Sequence, residues 1–83
     1  MSYVVRWGND VDDYIEQNLP DEAKMAFAIR CDELEAWPWG SNGPRSGPIV
    51  TFLGDMEGIL EYRVYENEDG AGKHVIWVTR VHW

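Results

Sequence analysis

The side chains able to move a proton or hold a phosphate cluster toward one end of this chain. His82, next to the last residue Trp83, is the credible general acid or base there, because an imidazole ordinarily titrates near ~6.5. Arg80 precedes it by two residues, and Arg63 lies in the apolar segment before that. Arg63 is flanked two residues away by Glu61 and Tyr65, so it either contacts a phosphate or pairs across a sheet with a carboxylate. His74 follows Lys73 and reads as a solvated residue at a strand edge. Two histidines eight positions apart, with no carboxylate at helical spacing beside either, do not make a metal site, so no metal is expected.

The remaining polar groups point to surface rather than to chemistry. Asp12-Asp13, Asp32-Glu33-Glu35 and Glu66-Glu68-Asp69 read as solvated faces, because a catalytic carboxylate pair needs an enclosed pocket that separates its two pKa values. Gly40 to Gly47 is glycine-rich but lacks the Lys-Ser/Thr of a phosphate-binding loop, and no cofactor is expected. Cys31 is the single cysteine, which excludes an intrachain disulfide, and it reads as a small apolar residue on a helix.

At 83 residues the chain is expected to form one domain, 1–83, burying only about 60% of its unfolded surface. A hydrophobic content of 45%, with five tryptophans, is too apolar for a disordered acidic tail. No run approaches the roughly 18 apolar residues of a membrane span, and the first residues lack the pattern of a signal peptide. A cytoplasmic protein with no membrane partner is therefore expected. The net charge of -8 disfavours a general nucleic-acid binder, which gains affinity from a basic footprint. The excess is uneven: residues 1–40 hold nine acids against three cations, residues 41–83 six against four. A sheet groove in the second half can therefore be near neutral or positive.

The elements that must position these groups are read from periodicity. Tyr3 to Trp7 is β-branched and aromatic and predicts a short strand. Asp10 is the expected cap of a helix carrying Val11, Tyr14, Ile15 and Leu19 on one face. Leu19-Pro20 breaks it, and Asp21 to Ala36 predicts a second helix. Its apolar stripe runs through Ala23, Ala26, Phe27, Cys31 and Leu34, widened by Met25 and Ile29. Trp37 to Pro48 is loop; Ile49–Leu53, Ile59–Glu66 and His74–Val81 are strand-like, joined by glycine-containing turns. The order β-α-α-β-β-β implies an α+β fold with a helical hairpin packed on a twisted, mostly antiparallel four-stranded sheet. Strict alternation along the last strand puts His74, Ile76, Val78, Arg80 and His82 on one face, and Val75, Trp77, Thr79 and Val81 on the other. Apolar residues on both faces make that strand central.

This order resembles the RelE/ParE superfamily of bacterial type II toxins. So do the Leu19-Pro20 break, the Leu34-x-x-x-Pro38 exit from the second helix, the stretch Tyr62-Arg63-Val64-Tyr65 and the closing run Val75 to His82. The resemblance covers nearly the whole chain. It implies a toxin neutralised by a partner antitoxin protein. Members of one branch cut messenger RNA on the ribosome, and members of another act on gyrase without nuclease chemistry. In RNA-cleaving members cations beside the scissile phosphate stabilise its developing charge and one group protonates the leaving oxygen. Carried over, Arg63 matches the arginine of the Tyr-Arg-Val stretch, and His82 stands where the last strand ends in His, Lys or Arg. Trp83 takes a place that is often basic, and the aromatic or histidine-bearing extension is missing after it. The expectation is accordingly a toxin-like protein acting mainly through protein contacts, with nuclease activity weak or absent. The alternative is a ribosome-dependent messenger RNA endonuclease, with Arg45, Arg63, Arg80 and Lys73 facing phosphate and His82 as proton donor. A non-toxic binding module of the same fold is the third reading, and a homodimer is compatible with each. Trp37, Trp39 and Trp83 are candidate binding residues, since tryptophan anchors interfaces as readily as it lids a small core.

Overall fold

The computed structural model describes residues 3–40, 43–44, 46–54, 58–66 and 74–83. Their order is β1 (Tyr3–Trp7), α1 (Asn9–Asn18), α2 (Asp21–Ala36), β2 (Ile49–Leu53), β3 (Gly58–Tyr65) and β4 (His74–His82). The α+β class and the element order are as the periodicity implies. Helix α1 begins before Asp10: Gly8 is the cap residue, with no side-chain bond, and Asp10 and Asp12 lie in the first turn, where the helix dipole favours acids. Leu19 and Pro20 separate the helices, and the Pro20 carbonyl accepts from the amides of Ala23 and Lys24, both at 3.0 Å.

The four strands form one mixed sheet in the order β1-β4-β3-β2. β1 runs parallel to β4, and the other two pairings are antiparallel. Both helices pack on one face. The core between the layers holds Val11, Ile15, Ala23, Phe27 and Leu34 from the helices, against Val5, Leu53, Leu60, Tyr62, Ile76, Val78 and Val81 from the strands. Leu53, Leu60 and Ile76 are completely buried, each contributing about 1.5–3 kcal/mol through removal of its side chain from water. Met25 and Ile29 do not join this core; they are 67% and 56% exposed, so the buried stripe of α2 is narrower than its apolar composition implies.

Both edges of the sheet are blunted by side chains. On β1, the Val5 amide donates to a Glu35 carboxylate oxygen at 3.0 Å, and Arg6 reaches the Val5 carbonyl at 3.4 Å. On β2, Arg30 Nε donates to the Phe52 carbonyl at 3.0 Å. Such capping occupies backbone groups that would otherwise template pairing with another chain.

β4 departs from strict alternation. The ladder between β3 and β4 pairs Tyr62 with Val78 but Glu61 with Arg80, so Thr79 is an extra residue, a β-bulge. The bulge reverses the parity of the last three strand residues. His74, Ile76 and Val78 face the helices, and so does Val81, whereas Arg80 and His82 point to the uncovered face. The expected grouping of Arg80 and His82 with Ile76 and Val78 is thereby corrected. Thr79 Oγ1 secures the irregularity, lying 3.2 Å from the Glu61 carbonyl and 2.7 Å from a Glu61 carboxylate oxygen.

Candidate functional site: the uncovered face of the sheet

With both helices on one side, no described element covers the other side of the sheet, and the register decides what stands there. Arg6 on β1 lies beside Trp77 on β4, and Trp77 lies beside Arg63 on β3, so one row across three strands reads Arg-Trp-Arg. Strands lie about 4.8 Å apart, so the row spans roughly 10 Å. The adjacent row is Val4, Val75 and Tyr65. Past the bulge come Arg80 beside Glu61 and His82 beside Ile59, and at the far edge Val50 and Phe52 on β2. Trp77 and Tyr65 are each 40% exposed and Phe52 46%.

The charge on this face is opposite to that of the chain. All nine acids of residues 1–40 lie on α1 and α2. The bare face presents Arg6, Arg63 and Arg80 against Glu61, whose carboxylate is engaged by Thr79. Among the described residues the ion pairs are Lys24 with Glu16 and Arg30 with Glu33, both involving helical side chains. The three bare-face arginines have no carboxylate within ion-pair distance among the described residues. Arg63 faces Trp77 across the ladder and pairs with no acid among the described residues.

At the end of the sheet, β4 outruns β1, and its last residues border a hollow of about 290 Å³ against α1, lined by Asp10, Tyr14, Arg80 and His82 among others. Asp10 is the one acid that α1 brings to this end of the face. His82 is exposed, and its backbone is fixed by a close approach: a Cβ on Gly58 would lie 2.7 Å from the His82 carbonyl oxygen and 2.8 Å from the Trp83 ring. Only glycine lets β3 pass so near. The Trp83 amide donates to the Tyr14 hydroxyl at 3.2 Å, and its ring packs against the core. Trp83 therefore anchors the end of β4 rather than standing open to a ligand.

The other expected site residues divide. Trp39 is buried, its indole N–H on the Tyr3 hydroxyl at 3.2 Å, and beside it the Tyr62 hydroxyl donates to the Pro38 carbonyl. It is a core residue. Trp37 is 53% exposed, with its indole N–H on the Gly40 carbonyl at 2.9 Å, away from the arginine-bearing face. Arg45 and Lys73 lie outside the described residues. His74 is not the solvated edge residue its neighbour implied. It is 3% exposed and packed against the Tyr3 ring at 5.1 Å, because the parallel register sets those two residues side by side. Arg6, Tyr65 and Trp77 are the residues of this face that spacing alone did not single out.

Cys31, on the helical side, is chemically quiet: burial first, and then the carboxylates of Glu35 and Asp32, push its thiol up to about 12. Among the described residues no group of three or more His, Cys, Asp or Glu side chains is placed to hold a metal ion. No helix among them is long and apolar enough to cross a membrane. Comparison of the chain with protein-family models, with curated proteins and with solved structures returned no match.

Proposed function

We propose that this protein is a RelE/ParE-like toxin of a type II toxin–antitoxin pair, and that its bare sheet face engages messenger RNA as a ribosome-dependent endonuclease. The observation that carries this reading is the collection of Arg6, Arg63, Arg80 and His82 on one uncovered face of an otherwise strongly acidic chain. It favours RNA chemistry over the protein-contact reading. In cleavage of this kind a ribose 2′-hydroxyl gives up its proton to solvent and attacks the adjacent phosphorus, the bond to the 5′-oxygen breaks as a 2′,3′-cyclic phosphate forms, and the departing 5′-oxygen takes up a proton. Arg80 and His82 alternate on β4 about 7 Å apart, with Arg63 on the neighbouring strand. Guanidinium groups hold the phosphate and its developing charge, and the His82 imidazolium supplies the proton.

A partner antitoxin is the companion reading, favoured by a different surface. Val50 and Phe52 on β2 are exposed on the uncovered face, and around the same edge of the sheet Ile29 on α2 is exposed beside Arg30, which reaches the Phe52 carbonyl. Apolar side chains grouped at an edge in this way suit a protein partner.

The test is inducible expression in a bacterial host. Growth arrest, relieved by His82→Ala and by Arg63→Ala, is the expected result. Normal growth in the presence of folded wild-type protein removes the endonuclease reading.

A further inference from the structure

The row Arg6, Trp77, Arg63 lies toward the other end of the face from His82; Arg63 borders the cleavage end, whereas Arg6 and Trp77 have no part in the proton transfer there. Counting along β4, Trp77 is about 15 Å from His82. It forms, with Arg6, Tyr65 and Val75, the wall of a shallow depression of about 520 Å³. Its indole differs from those of Trp7, Trp37 and Trp39. Those three donate to Asp12, the Gly40 carbonyl and the Tyr3 hydroxyl. The Trp77 N–H has no acceptor among the described residues, and its ring is neither lid nor core.

We infer that this depression is a nucleobase subsite: a single-stranded RNA lays one base on Trp77 beside Tyr65, with Arg6 and Arg63 on the flanking phosphates. This inference rests on the reading of the face as RNA-binding for the identity of the strand, and it adds the flanking contacts. Three observations converge on it. The two arginines flank the tryptophan on the neighbouring strands, their backbone positions about 10 Å apart. Arg6 spends one N–H on the Val5 carbonyl and keeps the rest of its five donors. The charge of this face is complementary to a polyanion, whereas the acidic helical layer repels one. An exposed ring beside cations on an open sheet is the arrangement by which unpaired bases are stacked with little regard to sequence.

The probe is a short fluorescein-labelled oligouridylate, titrated with the full chain at low salt and followed by anisotropy. Wild-type protein binds it, Trp77→Ala weakens binding roughly 5- to 150-fold, and Trp77→Tyr recovers most of the loss. Arg6→Ala weakens binding and flattens its dependence on log salt by about 0.7. Gln17→Ala, on the opposite layer, binds as wild type does. The inference is overturned if no binding occurs, if Trp77→Ala and Trp77→Tyr both bind like wild type, or if an acidic peptide is bound in a Trp77-dependent way while the RNA is not. Its failure is distinct from failure of the endonuclease reading. Arrest that needs His82 without oligonucleotide binding sinks this subsite alone, and Trp77-dependent binding without arrest upholds the subsite and sinks the endonuclease.

Discussion

The same four strands supply both faces of the sheet, yet the two faces answer to different physics. Toward the helices stand Val5, Ile76, Val78, Val81, Leu60 and Tyr62, all buried, and the two helices that cover them carry nine acids. Toward solvent stand Arg6, Arg63 and Arg80 with Trp77 and Tyr65, and no described element covers them. The single residue that reconciles the two is Thr79, since the bulge keeps Val81 in the core while turning Arg80 and His82 outward. The division shows how a protein with a net charge of -8 can still offer an anion a landing surface: the sum is negative, but its parts are segregated by layer.

Neighbouring positions on β4 give the sharpest contrast. Ile76→Ala empties a completely buried site and is expected to cost about 2–5 kcal/mol in urea unfolding. Trp77→Ala, one residue on, removes a larger side chain from the bare face and should cost under about 1 kcal/mol. Equal losses at the two sites would mean that the faces are not distinct.

Gly58→Ala comes next, because the new methyl meets a backbone carbonyl and the Trp83 ring. A loss of about 1–3 kcal/mol is expected, together with impaired His82-dependent arrest. Unchanged stability would contradict the close approach that fixes the end of β4.

Thr79→Val removes the hydroxyl that holds Glu61 and should lower stability by about 1 kcal/mol. The freed carboxylate then turns to Arg80, so RNA binding should fall as well. A stability loss with no change in binding would confine the threonine to the fold.

The smallest effect concerns the acidic layer. With its thiol raised to about 12 in the folded chain, Cys31 should react slowly with a thiol reagent at pH 8 and quickly once unfolded. Below the unfolded thiol pKa of about 8.5 the neutral form suits both states, and stability falls as pH rises from there through about 12. Rapid modification of the folded chain near neutrality would argue against burial beside Glu35 and Asp32.

Much of this architecture was legible locally. The Leu19-Pro20 break, the gap-free run from Asp21 to Ala36 and the β-branched strands β1 and β2 are properties of short segments, and the elements obey them. What escaped depends on contacts distant in sequence. With Val75, Val78 and Val81 occupying both parities, nothing within β4 marks Thr79 as the extra residue; the bulge is held by Glu61 on another strand. His74 is buried because β1 returns parallel to β4 and brings Tyr3 against it. Arg6 joins the site through that same register. Met25 and Ile29 belong to the apolar stripe of α2 by composition, yet both stay exposed in the fold.

The salt dependence of RNA binding tests the segregation of charge most directly. Each phosphate neutralised on a single strand contributes about 0.7 to the slope of log affinity against log salt. The wild-type slope should be steeper by about 2 than that of the Arg6→Ala, Arg63→Ala, Arg80→Ala triple variant, and the variant's affinity should collapse at low salt. Equal slopes for the two proteins, or a wild-type affinity indifferent to salt, would contradict the assignment of this face as the anion-binding surface.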